Sequence, residues 1–453
     1  MKKRSATMLQ GPVLWGVISY TIPIILTSVL QLLFNAADLV VVGRFCGSIS
    51  VAAVGATGAI TNLIINLFIG LSVGAGVTVA HAIGSREETA VHRAVHTALP
   101  VALLSGVVLT IVGVALSGTF LGLMGTPETV LPLSTVYMQI YFGGITFNMV
   151  YNFSASILRA AGDTKSPLIF LTFAGIVNVV LNVIFVTIFH MNVAGVALAT
   201  TISQAISAVL VVIALMRRKD ACKLQLKKMR FYKTELVKLV RIGLPAGIQG
   251  SLFSISNVMI QSSVNSFGDV FMSGNAAAGN IEGFVYVTMN SFHQTAVNYI
   301  GQNVGAQQYD RVKKVLHVCL GCVCVAGLTA GVLGYSFGPQ LLSIYITDSA
   351  QAISYGVLRL SFVCLPYFLC GLMDVSTGAL RGMGASLEPM IISVLGVCGL
   401  RILWITTLFQ IPALHTPQFL YLSYPVSWII TFAAQLLAFR RVYNRHLQLV
   451  GQK

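Results

Sequence analysis

The sequence is short of charge. Only 9% of its 453 residues are Asp, Glu, Lys or Arg, whereas 56% are hydrophobic, and the mean hydropathy is +0.84. A soluble globular domain carries about 25% charged residues, so a water-facing exterior is excluded and the surface is built for lipid. Acid is scarcest, with 13 Asp and Glu against 28 Lys and Arg. No Gly-Lys dipeptide occurs, which excludes a Walker-type ATP site in this chain; AAGDTKSP at 160–167 resembles a phosphate loop only faintly and ends in Pro. HExxH and GxGD are also absent, which weakens an intramembrane-protease reading, and no other catalytic constellation supports a membrane enzyme. The 8 cysteines lack the paired spacing of a zinc or disulfide framework. Cys319, Cys322 and Cys324 lie in an apolar stretch, where Cys behaves as a small hydrophobe.

What the chain has instead is long apolar runs, such as Val13–Phe34 and Val101–Phe120. Each is long enough to cross roughly 30 Å of hydrocarbon as a helix. Twelve spans are expected, near 13–39, 51–81, 91–117, 131–157, 167–190, 193–216, 241–266, 272–302, 312–337, 353–380, 389–411 and 418–441. The opening MKKRSATMLQGP is basic, but no short apolar core with a small-residue cleavage site follows, so an uncleaved first span is expected. The net charge of +15 invites a nucleic-acid reading, which the positions of the basic residues argue against. With the N-terminus inside, 25 of the 28 fall on cytosolic segments, ten of them within 217–241; Arg44 and Arg359 fall outside, and Arg401 within a span. That asymmetry orients a membrane protein. The expected partner is the bilayer, with both termini and 217–241 cytosolic and 121–130 and 412–418 external.

The chain also repeats itself. LRAAGDTKSP at 158–167 returns as LRGMGASLEP at 380–389, an offset of 222 residues that pairs Arg159 with Arg381, Gly162 with Gly384 and Pro167 with Pro389. YTIPII is echoed by IGLPAG, pairing Pro23 with Pro245, and Asn35 then falls on Asn257. HAIGSREETAVHRAVH resembles QNVGAQQYDRVKKVLH with a one-residue slip. Six spans per copy is an even number, so the copies run parallel, related by an axis along the membrane normal. The expected fold is an all-α integral membrane protein of two six-helix lobes, 1–216 and 242–453, joined by a basic cytosolic linker, 217–241. Within each copied turn, Arg stays at the cytosolic surface, Gly permits the bend and Pro opens the next helix.

Five motifs in order carry a family resemblance: FNAADLVVVGRFCG, GLSVGAGVTVAHAIG, LRAAGDTKSP, IGQNVGA and LRGMGASLEP. On a 6+6 repeat, they make the chain resemble a multidrug and toxic compound extrusion (MATE) transporter of bacterial type over nearly its whole length. The resemblance implies two six-helix bundles open alternately to either side of the cell membrane. It implies export of drugs, often cationic, in exchange for Na⁺ or H⁺, by a monomer that needs no further cofactor.

Asp38, Glu282 and Asp374 are the three acids well inside spans. A charge at a helix centre costs about 2.5–3.5 kcal/mol on insertion scales, so each must face protein or water. Asn35 and Asp38 are three apart on the first span; Asn178 and Asn182, and Thr200 and Gln204, are four apart on the fifth and sixth and share a face. Asn35 repeats as Asn257, which favours interhelical hydrogen bonding. Asp38, Asn178 and Asn182 repeat as Ile260, Leu400 and Trp404, so that cluster is not duplicated scaffold and reads as functional. By the resemblance, Asp38, Asn178, Asn182 and Thr200 fall where the family places its cation site. Some members have a second carboxylate at the position of Asn182, so Na⁺ and H⁺ both stay open.

In the second half Glu282, Tyr286, Asn290 and His293 form a stripe on the eighth span. Asp374 and Arg401 lie on adjacent spans and are a candidate ion pair, for packing or for coupling. The resemblance places a coupling Glu on the seventh span in other members, but 245–266 has none here. Aromatics near these spans, Phe34, Phe68, Tyr151, Tyr286, Phe292 and Tyr367, are candidates to line a cleft for flat cations. An alternative is a flippase for lipid-linked saccharides, which shares the lobed architecture. Such a protein needs several cations in its cavity, and here Arg401 alone lies inside a span.

Overall fold

A computed structural model describes residues 6–451. The described residues form twelve helical passages and no strand. They are α1 (Val13–Phe45), α2 (Ser48–Gly84), α3 (Glu88–Leu123), α4 (Leu131–Gly143 and Ile145–Ala160), α5 (Lys165–Val183, continued by Ile184–Ile188) and α6 (Asn192–Met216). The second set is α7 (Lys233–Asn265), α8 (Asp269–Gly305), α9 (Tyr309–Ser336), α10 (Ala350–Arg359, Leu360–Cys364 and Tyr367–Gly382), α11 (Leu387–Ser393, Val394–Gly399 and Leu400–Thr406) and α12 (Pro417–Gly451). Among the described residues, nine helices are long and apolar enough to cross a membrane, or ten if α10, bent by 41°, is one span. The two passages outside that test are α4, interrupted at Gly144, and α8, which carries many polar side chains.

The repeat is written into the backbone. Gly162 and Gly384 end their helices with φ of 87° and 82°, a left-handed conformation that favours glycine. Their N–H groups bond the carbonyls of Arg159 and Arg381 at 2.9 and 2.8 Å, and the next residues reach Leu158 and Leu380 at 2.8 and 3.0 Å. Pro167 and Pro389 each stand third in the helix that follows. Where the offset slips by one residue, Arg86 and Gln307 share positive φ, 59° and 57°.

The chain divides into two compact units, one of Ile22–Ser251 and one of Thr7–Thr21 with Leu252 onward. Thus α1 gives its first turns to the second unit, and α7 gives its first turns to the first. Within the first unit, Gly70 of α2 lies against Gly247 of α7 so closely that a Cβ would stand 2.1 Å from the Gly247 nitrogen. Within the second, the Thr21 and Thr295 hydroxyls meet at 2.7 Å, and Arg311 donates to the carbonyls of Met8, Gln10 and Gly11 at 3.1 Å each. The stretch before α7, with the first turn of that helix, is folded onto α3 of the first unit. Gln225 N–H donates to His96 Nε2 at 3.0 Å, Tyr232 N–H to Thr97 Oγ1 at 3.2 Å, and Arg93 pairs with Glu235 at 2.8 Å.

Candidate functional site

In the first unit, α1, α5 and α6 bring Asp38, Asn178, Asn182 and Thr200 together. The i,i+4 spacing on α5 aims both amides one way, and Asn182 Nδ2 donates to Asn178 Oδ1 at 3.2 Å. Asn182 Nδ2 also donates to Asp38 Oδ1. The Thr200 hydroxyl lies 3.4 Å from Asp38 Oδ2 and 3.0 Å from the Val196 carbonyl, and it accepts from Asn178 Nδ2 at 3.3 Å. Asp38 is 8% exposed and Asn182 0%. Among the described residues, Asp38 has no basic partner in an ion pair. A buried carboxylate thus meets only amides and a hydroxyl.

One atom is left over. Asn182 Oδ1 is buried without a hydrogen-bond partner. A half-turn of that amide would place an oxygen opposite the carboxylate, an arrangement that needs a proton or a cation between them. Two residues after Asn182 the helix widens into a π-turn, with Phe189 N–H bonded to the Ile184 carbonyl at 3.2 Å. Such turns are common at functional sites.

The aromatic candidates separate. Phe34 packs its ring onto Gly175, where a Cβ would meet it at 1.9 Å. Tyr151 is a core residue, 4% exposed, with its hydroxyl 3.4 Å from the Pro167 carbonyl, so it packs the helices and lines no cleft. Tyr286 is exposed, while Tyr367 packs on Trp428 at 5.2 Å. Not anticipated were Tyr137 and Tyr141, stacked at 6.3 Å on α4, the first within electrostatic range of Asp38. Asn35 and Asn257 are both exposed, so interhelical bonding does not account for them.

In the second unit the charges pair differently from expectation. Glu282 is bound in a fork by Arg359, at 2.8 and 2.7 Å, and Arg359 also donates to Asn275 Oδ1 at 2.6 Å. Arg359, expected near the external side, has its side chain turned in among the helices toward Glu282 and only 12% exposed. Asp374 and Arg401 form no ion pair among the described residues; the guanidinium in electrostatic range of Asp374 is that of Arg381. His293 sits beside them, Nδ1 donating to the Asp374 backbone carbonyl at 2.7 Å and Nε2 accepting from Arg381 Nη1 at 3.3 Å. Both ring nitrogens are engaged, which fixes the neutral tautomer and ties α8 to α10. Arg401 instead donates from Nε to Ser427 Oγ at 2.9 Å and lies over the Tyr424 ring at 4.1 Å. The half-buried guanidinium of Arg359 and the buried one of Arg381 therefore join Arg401.

The model of the MatE family matches residues 23–184 and 245–406, two blocks separated by the same 222-residue offset as the repeated turn. The chain belongs to the MatE family. Its members are multidrug and toxic compound extrusion transporters, not enzymes. Among its relatives is the probable multidrug resistance protein YpnP of Bacillus subtilis, 28% identical over 86% of this chain and 87% of that protein. The probable multidrug resistance protein YoeA of the same organism is 29% identical over 86% of each. Among solved structures, an outward-facing MATE multidrug transporter of the MOP superfamily superposes with a TM-score of 0.91 at 19% identity, covering 98% of this chain and 99% of that one. This last similarity establishes the MATE fold for the whole chain.

Proposed function

We propose that this MATE protein exports small organic compounds, drugs among them, across a bacterial cell membrane in exchange for Na⁺ or H⁺, by alternating access of its two lobes. Both termini and the basic stretch before α7 lie on the cytosolic side. The names of the Bacillus relatives support the substrate class, and the excess of Lys and Arg on alternate connections supports the orientation.

The observation that carries the coupling is Asp38, a buried carboxylate ringed by Asn178, Asn182 and Thr200 with no base to neutralise it. Such a group sheds its charge by taking a proton or by binding a small cation. Carboxylate, amide and hydroxyl oxygens are hard donors that suit Na⁺, and the same amides can bond a protonated acid. In either case the ion must favour one lobe arrangement over the other, because only differential affinity shifts a conformational equilibrium.

Asp38→Asn holds the site neutral whatever the ion gradient. Purified and reconstituted, that variant folds but loses gradient-driven efflux. Asn178→Ala and Asn182→Ala weaken coupling less, because the titrating group remains. Export by Asp38→Asn at the wild-type rate, with unchanged dependence on separately imposed Na⁺ and pH gradients, removes the assignment.

A further inference from the structure

Among the described residues, the second unit encloses three guanidiniums, two buried and one half-buried, and two buried or half-buried acids inside its spans to answer them. Glu282 is taken by Arg359, and Asp374 lies in range of Arg381. Arg401 is 4% exposed, has no acid within ion-pair distance among the described residues, and hydrogen-bonds through Nε to Ser427 Oγ alone of the side chains around it. Its Nη2 is buried without a partner. An arginine cannot lose its charge inside a protein, so this is a standing positive charge with an unused N–H pair.

We propose that Arg401 is the centre of an anion site, and that it receives the carboxylate of transported compounds whose body is aromatic or apolar. The inference rests on the reading of this protein as an exporter of small organic compounds, and it names a class of substrate for it. The surroundings fit that class. Tyr424 covers the guanidinium face at 4.1 Å, Trp428 stands at 5.6 Å, and Tyr367 packs on Trp428 at 5.2 Å, so the charge is set among rings. Tyr424 is only half-buried, so the ring over the guanidinium is not itself locked in the core. A guanidinium presents its N–H groups in a planar fork that matches the two oxygens of a carboxylate better than a spherical halide.

The address in the fold supports a site over an accident of packing. Counted back by the 222-residue offset, Arg401 falls on Val179, next to Asn178, and Tyr424 falls on Ile202, two residues past Thr200. The helices that carry the Asp38 partners in the first unit, α5 and α6, correspond to those that carry Arg401 and Tyr424, α11 and α12. A π-turn adjoins each place, Ile184–Ile188 after Asn182 and Val394–Gly399 before Arg401. The duplicated framework thus carries, among the described residues, an acid lacking a base against α5 and α6 in one copy and a base lacking an acid on the corresponding α11 in the other.

The test uses two dyes that differ only at the carboxyl group: rhodamine 110, the free acid, and rhodamine 123, its methyl ester. Binding to purified full-length protein is followed by fluorescence anisotropy, and export is followed in proteoliposomes. Wild type should bind the acid more tightly than the ester. Arg401→Gln should weaken acid binding on the order of ten- to a hundredfold, the scale of charge-assisted hydrogen bonds, while the ester stays within about twofold. Arg401→Lys, which keeps the charge and loses the fork, should fall between. Ester bound as tightly as acid by wild type overturns the proposal without any variant, so a variant that fails to fold cannot shelter it. Equal losses of both dyes in Arg401→Gln also overturn it, assigning Arg401 to packing. Failure of wild type to bind or export either dye strikes the export reading itself and the anion site with it.

Discussion

Glu282→Gln is the substitution whose cost the structure sets most directly. It keeps shape and volume but removes the charge facing Arg359. The native carboxylate accepts from Arg359 Nε at 2.8 Å and Nη2 at 2.7 Å, with the two side chains 6% and 12% exposed. Glutamine offers one oxygen where there were two, and turns its NH₂ toward a donor. Arg359 would retain Asn275 at 2.6 Å and the rings of Tyr421 and Tyr424 at 5.6 and 5.7 Å, none of them charged. Breaking one side of a buried pair costs about 3–5 kcal/mol, roughly two to three and a half decades in any equilibrium that needs the pair intact. The expected result is a clear fall in the melting temperature of detergent-purified protein and poor expression. Arg359→Met should also destabilise, because it leaves Glu282 without its fork. Glu282→Met with Arg359→Met should recover most of the loss, since apolar side chains of similar volume replace buried pairs at little cost. A single Glu282→Gln that melts with wild type, or a double variant less stable than either single, refutes this account. Normal folding with abolished efflux would move Glu282 into the coupling machinery.

The repeated turn makes a paired prediction: Gly162→Ala and Gly384→Ala, at φ of 87° and 82°, should each cost about 1–2 kcal/mol, and thermal melts should show similar losses in both. A neutral outcome at one position alone would mean that the two turns are not equivalent. For orientation, Pro127→Cys should react with an impermeant maleimide in intact cells, since the α3–α4 connection is proposed to lie outside. Labelling only after permeabilisation reverses the topology.

Much of this was legible because lipid imposes simple rules. Apolar length and the 222-residue offset mark the passages, including α8, whose Asn, Gln, Glu and His content hides it from a hydropathy test. The i,i+4 amides of α5 mark the Asp38 cluster in the sequence itself. What misled was proximity in sequence used as a proxy for pairing. Arg359, near the start of α10, finds its partner 77 residues away on α8. Asp374 and Arg401 looked paired because their helices are consecutive, though Asp374 and Arg381 are seven apart on α10 and share a face. Asn275 and Glu282 have the same spacing on α8, and both meet Arg359. Helical phase groups the residues that share a face of one span, while the partner across the bundle is set by packing that sequence adjacency does not reveal.

Duplication explains both the ease of reading the scaffold and the difficulty of reading its chemistry. The turns that must bend kept their glycines, because a backbone at positive φ tolerates few other residues, and so the two copies agree there. Inside the spans, an ionisable residue is costly in either copy unless something answers its charge. The first unit answers Asp38 with neutral oxygens and nitrogens from Asn178, Asn182 and Thr200, and the second answers Arg401 with Ser427 and a ring. Neither answer cancels the charge. A buried charge left uncancelled in a structural role would be replaced at a gain in stability by an apolar side chain, as Ile260 stands where Asp38 would repeat and Val179 where Arg401 would. Each copy therefore shows that the fold does without a charge at the address where the other copy keeps one. On the proposed mechanism, the stability forgone at Asp38 and at Arg401 is recovered when an ion or a substrate is bound, and transport requires that the recovery come only then.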